Sequence, residues 1–113
     1  MNFSEFPEFA KELKSYSKKY RSLAHDFENF KILISAAGEL EVTGFFQGSQ
    51  ATRLIISSSY EVVKARLDCA ALSSKQLLRV IYIQTATEVQ FVELYAKNEK
   101  TREDTQRIKK YLP

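Results

Sequence analysis

The apolar pattern of this chain has one period before residue 38 and another after residue 60. In FPEFAKELKSYSKKY, Phe9, Leu13, Tyr16 and Tyr20 recur three or four apart, with Lys and Glu between them. In SLAHDFENFKILISAAG, Leu23, Phe27, Phe30 and Ile34 do the same. That spacing places one apolar face on each of two helices. Ser22 is the expected N-cap of the second helix and Gly38 its expected stop. Arg21 and its immediate neighbours are all that separates the two, which predicts an αα-hairpin. The aromatic stripe is read as core.

From Tyr60 the pattern is that of strands. YEVVKARLD is rich in β-branched and aromatic residues, CAALSSKQ reads as a loop, and LLRVIYIQ is a second strand. TATE is a tight turn before VQFVELYA, so the last two strands form an antiparallel hairpin. TREDTQRIKKYL is expected to be a helix, with Thr101 as its cap and Asp104 three residues on. Residues 39–59, punctuated by Gly44 and Gly48, are expected to be a connection with one or two short strands. Helices followed by strands predict an α+β domain. Its N-terminal helical hairpin packs on a twisted antiparallel β-sheet, and a short helix closes the chain. At 113 residues, 1–113 is one domain with one core.

Several function classes are disfavoured by residue usage. One cysteine, Cys69, allows no internal disulfide, and one histidine, His25, gives it no metal-binding or catalytic company. Cys69 is expected to be a buried structural thiol. No cofactor is expected. The N-terminus MNFSEFPEFAKEL is acidic and amphipathic without an apolar signal core, and no stretch is long enough to span a membrane, so a cytoplasmic protein is expected. The net charge of +3 is unevenly placed. Residues 1–59 carry seven Lys/Arg against seven Asp/Glu, and residues 60–113 carry ten against seven. An excess confined to the strand-rich half is compatible with a polyanionic partner.

Lys64 and Arg66 share one face of their strand with Val62, because side chains alternate. If Asp68 pairs with Leu77 across the loop, Arg66 lies directly opposite Arg79. Opposed guanidinium groups repel, whereas a phosphate site has use for both. On the next hairpin, a two-residue turn pairs Arg79 with Leu94, while a three-residue loop puts Tyr95 opposite Leu77 on the face of Arg79. Either way Lys64, Arg66, Arg79, Tyr95 and Lys97 gather toward one region of the sheet.

The pieces KELKSYSKKYRSLAHDFENF, VVKARL, LRVIYI and LYAKNEK, in this order and spacing, resemble the RelE/ParE toxin superfamily, and within it the RelE- and HigB-like members. The resemblance covers most of the chain and is weakest across residues 39–59. It implies the toxin of a type II toxin–antitoxin pair: a ribosome-dependent mRNA endonuclease that cleaves without a metal through attack by the RNA 2′-OH. The implied partners are a cognate antitoxin, the ribosome and mRNA, with operator DNA reached only through the antitoxin. Lys64 and Arg66 match the family's basic strand. Arg79 matches the central-strand arginine expected to hold the scissile phosphate. Tyr95 and Lys97 match the strand-end motif, where acid/base or RNA-positioning residues sit. Lys75, in the loop that many relatives make rich in Gly and Arg, and Lys100 are the implied further RNA contacts. Lys or Tyr serves as base or acid where its pKa is brought toward neutrality, and a cluster of cations is expected to lower both. The same scaffold also accommodates a ParE-like gyrase inhibitor, or a non-catalytic antitoxin-binding corepressor.

Overall fold

Pro7 opens the first helix. Its fixed φ suits the first helical position and its missing N–H is no loss there. Glu8 in the first turn and Lys18 and Lys19 in the last complement the helix dipole. A computed structural model of the chain describes residues 2–40, 50–72 and 77–113, with side chains of 37–40 aside. Gly44, Gly48 and Lys75 lie outside the described residues. In chain order the elements are β1 (Asn2–Glu5), α1 (Pro7–Lys19), α2 (Leu23–Leu40), β2 (Ala51–Ile56), β3 (Glu61–Leu67), β4 (Leu78–Gln84), β5 (Glu88–Ala96) and α3 (Thr105–Tyr111). The sheet order is β1-β5-β4-β3-β2. No helix among the described residues is long and apolar enough to cross a membrane.

The predicted α+β architecture and helical hairpin are present, with three differences. First, the sheet is mixed. β2 to β5 pair antiparallel, but β1 pairs parallel with β5, Phe3 opposite Val89. NFSE is too short and too polar to announce a strand; it is held because Phe3 stacks on Phe91 at 5.9 Å. Second, α2 continues through Gly38 to Leu40. A glycine costs a helix about 1 kcal/mol but does not by itself end one. Third, α3 begins at Thr105, capped by Asp104 rather than Thr101: the Asp104 carboxylate accepts from Arg107 N at 3.0 Å. Residues 101–104 are drawn out of helical conformation by contacts to the sheet described below.

Ser22 precedes α2, and its carbonyl accepts the first helical bond from Asp26. Its hydroxyl, however, accepts from Ala71 N at 2.9 Å, and the Asp26 carboxylate accepts from Ala70 N. Ser22, expected to cap its own helix, thus joins Asp26 in fastening the turn after β3. Beneath that turn Cys69 is fully buried.

Phe9, Leu23, Phe27, Phe30 and Ile34 pack on one face of the sheet, against Val63, Ala65, Leu67, Val80, Tyr82, Phe91 and Leu94. Each of the Val, Leu, Ile and Phe side chains among them contributes about 1.5–3 kcal/mol on burial. Phe91 is the hub: the Phe9, Phe27 and Tyr82 rings lie 5.2, 4.9 and 6.1 Å from it. On the opposite face, Ile108 joins Val62, Ile81, Ile83 and Val92 in a second cluster. Phe6 and Tyr111 stack there at 3.8 Å. The Tyr111 hydroxyl also donates to Glu8, and with Lys110 holds that carboxyl down at about 2.

Candidate functional site

The second sheet face is covered by α3 at one end and carries the basic residues at the other. On β3, Val63, Ala65 and Leu67 belong to the helix-side core, so alternation turns Lys64 and Arg66 the other way. The β3–β4 register pairs Arg66 with Arg79 and Leu67 with Leu78, as pairing of Asp68 with Leu77 requires.

The β4–β5 hairpin begins as a two-residue turn. Thr85 N donates to Glu88 O at 2.9 Å, and Gln84, Ile83 and Tyr82 face Val89, Gln90 and Phe91. That register would carry Leu94 opposite Arg79. A β-bulge intervenes: the register shifts between Tyr82 and Ile81, leaving Val92 as the extra residue. Beyond it Arg79 faces Tyr95. Neither of the two simple turn lengths produces that pairing. The bulge sends Leu94 and Ala96 into the helix-side core and Tyr95 onto the basic face.

The edge of β5 beyond β1 is closed by side chains. Leu94 N donates to Glu12 Oε1 at 3.1 Å and Ala96 N to Tyr16 Oη at 3.2 Å. Arg107 of α3 spans Glu12, at 2.8 Å, and the Val92 carbonyl, at 3.1 Å. These contacts make the strand end rigid, as a site requires.

A cleft of about 220 Å³ opens over this region. Lys64, Arg66, Arg79, Tyr95 and Lys97 all line it, together with Thr52, Leu54 and Thr101. The sequence therefore found a set of side chains that the fold brings together. Lys97, the first residue after β5, is exposed, and its N–H donates to Leu77 O at 2.9 Å. Arg79 is 7% exposed, with Nη1 donating to the Leu78 carbonyl. Burial, and next the Arg66 charge, pull its pKa down, yet a guanidinium remains charged. Lys64 Nζ meets Glu103 Oε1 at 3.1 Å.

Tyr95 departs from expectation. Burial pushes its phenol up, and the opposing pull of Lys64 does not overcome it. The cation cluster therefore does not make Tyr95 a base; at neutral pH it is a protonated donor. Its hydroxyl is buried and has no partner in good hydrogen-bond geometry among the described residues, although the Lys64 ammonium lies near enough to pull on it. The nearby Lys64 ammonium is taken by Glu103. A buried polar group without a partner is uncommon and asks for a reason; its residue lines the cleft, and a small side-chain shift would let an anion there supply the missing acceptor. Tyr95→Phe is accordingly expected to raise stability by about 1 kcal/mol in urea denaturation while weakening anion binding in the cleft. A loss of stability would show that the hydroxyl already has a partner.

Lys100 stands apart. It pairs with Glu93, which is fully buried, and its ammonium lies 5.6 Å from the Tyr95 ring centroid. It does not line the cleft. The two carboxylates that organise this region, Glu93 and Glu103, were not singled out from the sequence. Glu93 did leave a signal, as a lone charge inside the apolar run VQFVELYA. Glu103 left none, since its partner lies 39 residues away. Among the described residues no three His, Cys, Asp or Glu side chains gather where they could hold a metal ion.

Fold and site define an α+β domain with a half-enclosed cationic cleft at the end of its central strands. No family model, curated protein or solved structure matches the chain.

Proposed function

We propose that this is a RelE/HigB-like toxin of a type II toxin–antitoxin pair, and that its cleft binds and cleaves mRNA on the ribosome. The observation that carries the reading is the convergence of Lys64, Arg66, Arg79 and Lys97 around the unpartnered hydroxyl of Tyr95. Four cationic side chains and a donor suit a phosphodiester whose charge grows during reaction. The RNA 2′-oxygen gives its proton to solvent water and bonds to phosphorus. The bond from phosphorus to the 5′-oxygen breaks, and that oxygen takes a proton from solvent as it leaves. Arg66 and Arg79, opposed across β3 and β4, grip the non-bridging oxygens. Tyr95 donates to a phosphate oxygen, and Lys64 and Lys97 extend the positive track along the strand. A cognate antitoxin segment laid across this face would cover the cleft.

The test is induction of the protein alone in bacteria, followed by mapping of transcript ends. Growth arrest with new ends inside translated mRNA is the expected outcome. Intact mRNA with altered plasmid supercoiling would place the protein with gyrase inhibitors instead. Abundant protein without arrest would leave a binding function on the same scaffold.

A further inference from the structure

One cation of the cleft, Lys64, is paired with a carboxylate behind it. Glu103 lies on the segment between β5 and α3, and its side chain, 15% exposed, meets Lys64 at 3.1 Å. Burial pushes its pKa up, but its own backbone N–H and Lys64 outweigh this and hold it below the usual range. It is therefore ionised at neutral pH. The segment has little freedom to move away. The next residue, Asp104, donates its N–H to the buried Glu93 at 2.8 Å and caps α3 through Arg107 N. Arg107 is in turn tied to Glu12 of α1. Glu103 is thus fastened beside the cleft with its charge directed at one of the cations.

We propose that Glu103 is a built-in counter-anion that holds Lys64 in reserve, so that a polyanion gains Lys64 only by displacing a carboxylate. This inference rests on the reading of the cleft as an RNA-phosphate site and concerns the regulation of its affinity. The pair is partly exposed, so its separation costs at most about 1 kcal/mol, a factor of about five in affinity. Glu103 tunes how tightly the site holds RNA without deciding whether it binds. Because Lys64 is already neutralised, it releases no counterion when RNA arrives. The salt dependence of binding counts one phosphate contact fewer than the cleft's cations suggest.

The experiment measures binding of a labelled single-stranded RNA oligonucleotide, and separately of inorganic polyphosphate, across a salt series. The proteins are the full chain, its Glu103→Gln, Glu103→Ala and Lys64→Gln variants, and the Lys64→Gln/Glu103→Gln pair. Glu103→Gln is expected to bind about fivefold tighter, with the slope of log K against log salt steeper by about 0.7. A merely structural residue would not steepen that slope. In the Lys64→Gln background the gain should fall by more than half. The alanine variant carries the same expectation should the glutamine variant fold poorly. Unchanged affinity and slope in both Glu103 variants would overturn the proposal, as would an equal gain without Lys64. Tightening toward polyphosphate without RNA binding would uphold the role of Glu103 and remove the RNA reading. RNA binding that ignores Glu103 would do the reverse, and binding of neither probe by any variant would overturn both.

Discussion

If the cleft cleaves RNA as proposed, Arg79→Met is expected to lower that cleavage by about 10²–10³-fold, the usual effect of deleting one preorganised transition-state donor, and to abolish growth arrest. The same substitution should change stability by no more than about 1 kcal/mol. Arg79 lies on the central strand β4, directly opposite Arg66 on β3, and its guanidinium is depressed by burial and by that neighbouring charge. Like charges directly opposed across a sheet are destabilising. Methionine keeps the unbranched apolar stem and removes the repulsion. The variant also loses the bond from Nη1 to the Leu78 carbonyl, so its activity should fall far more than its stability changes. Urea denaturation and cleavage of translated mRNA, measured side by side, check it. A methionine variant with full toxicity would remove Arg79 from the active site, and with it the central role given to β4.

Lys100→Ala is expected to destabilise the protein by about 3 kcal/mol, the cost of leaving a buried charge without its partner. Glu93 is fully enclosed and lies against Lys100 and the Asp104 N–H. Losing the lysine leaves the carboxylate buried with a single neutral donor. The reverse change should cost less. In Glu93→Gln the side-chain oxygen still accepts from Asp104, and Lys100, 40% exposed, returns to water, for about 1 kcal/mol. Equal losses in the two variants would contradict this account of the pair. The asymmetry also bears on RNA contact: the lysine expected there is committed to a carboxylate, whereas Lys97, three residues earlier, faces the cleft.

The helical hairpin was legible because each helix buries one face only, so the spacing of Phe9, Leu13 and Tyr16, and of Leu23, Phe27 and Phe30, keeps its period. The opposition of Arg66 and Arg79 was legible because one assumed pair across the loop fixes every other pair. The β5 register was not. β4 and β5 are covered on both faces, so Val89, Phe91, Val92 and Leu94 form an apolar run from which no alternation survives. A bulge inside such a run changes no pattern visible along the chain. The ionisation of Tyr95 was misjudged for a related reason: proximity of cations can be argued from register, but the burial that outweighs them is a property of the packed cleft. The start of α3 was displaced by the hold of Glu93 on Asp104 and of Glu103 on Lys64, neither of which is local.

The parallel pairing of β1 with β5 has a consequence for the order in which the molecule can assemble during synthesis. Asn2–Glu5 must wait for Glu88–Phe91, roughly 4–17 s of elongation at ordinary rates of synthesis. Until then Phe3 has no Phe91 to stack on, and the aromatic faces of α1 and α2 have no sheet beneath them. The hairpin is made first and sheltered last. A nascent chain of this design spends most of its time on the translating ribosome with its stickiest surface uncovered, and it gains a finished cleft only once β5 has left the exit tunnel.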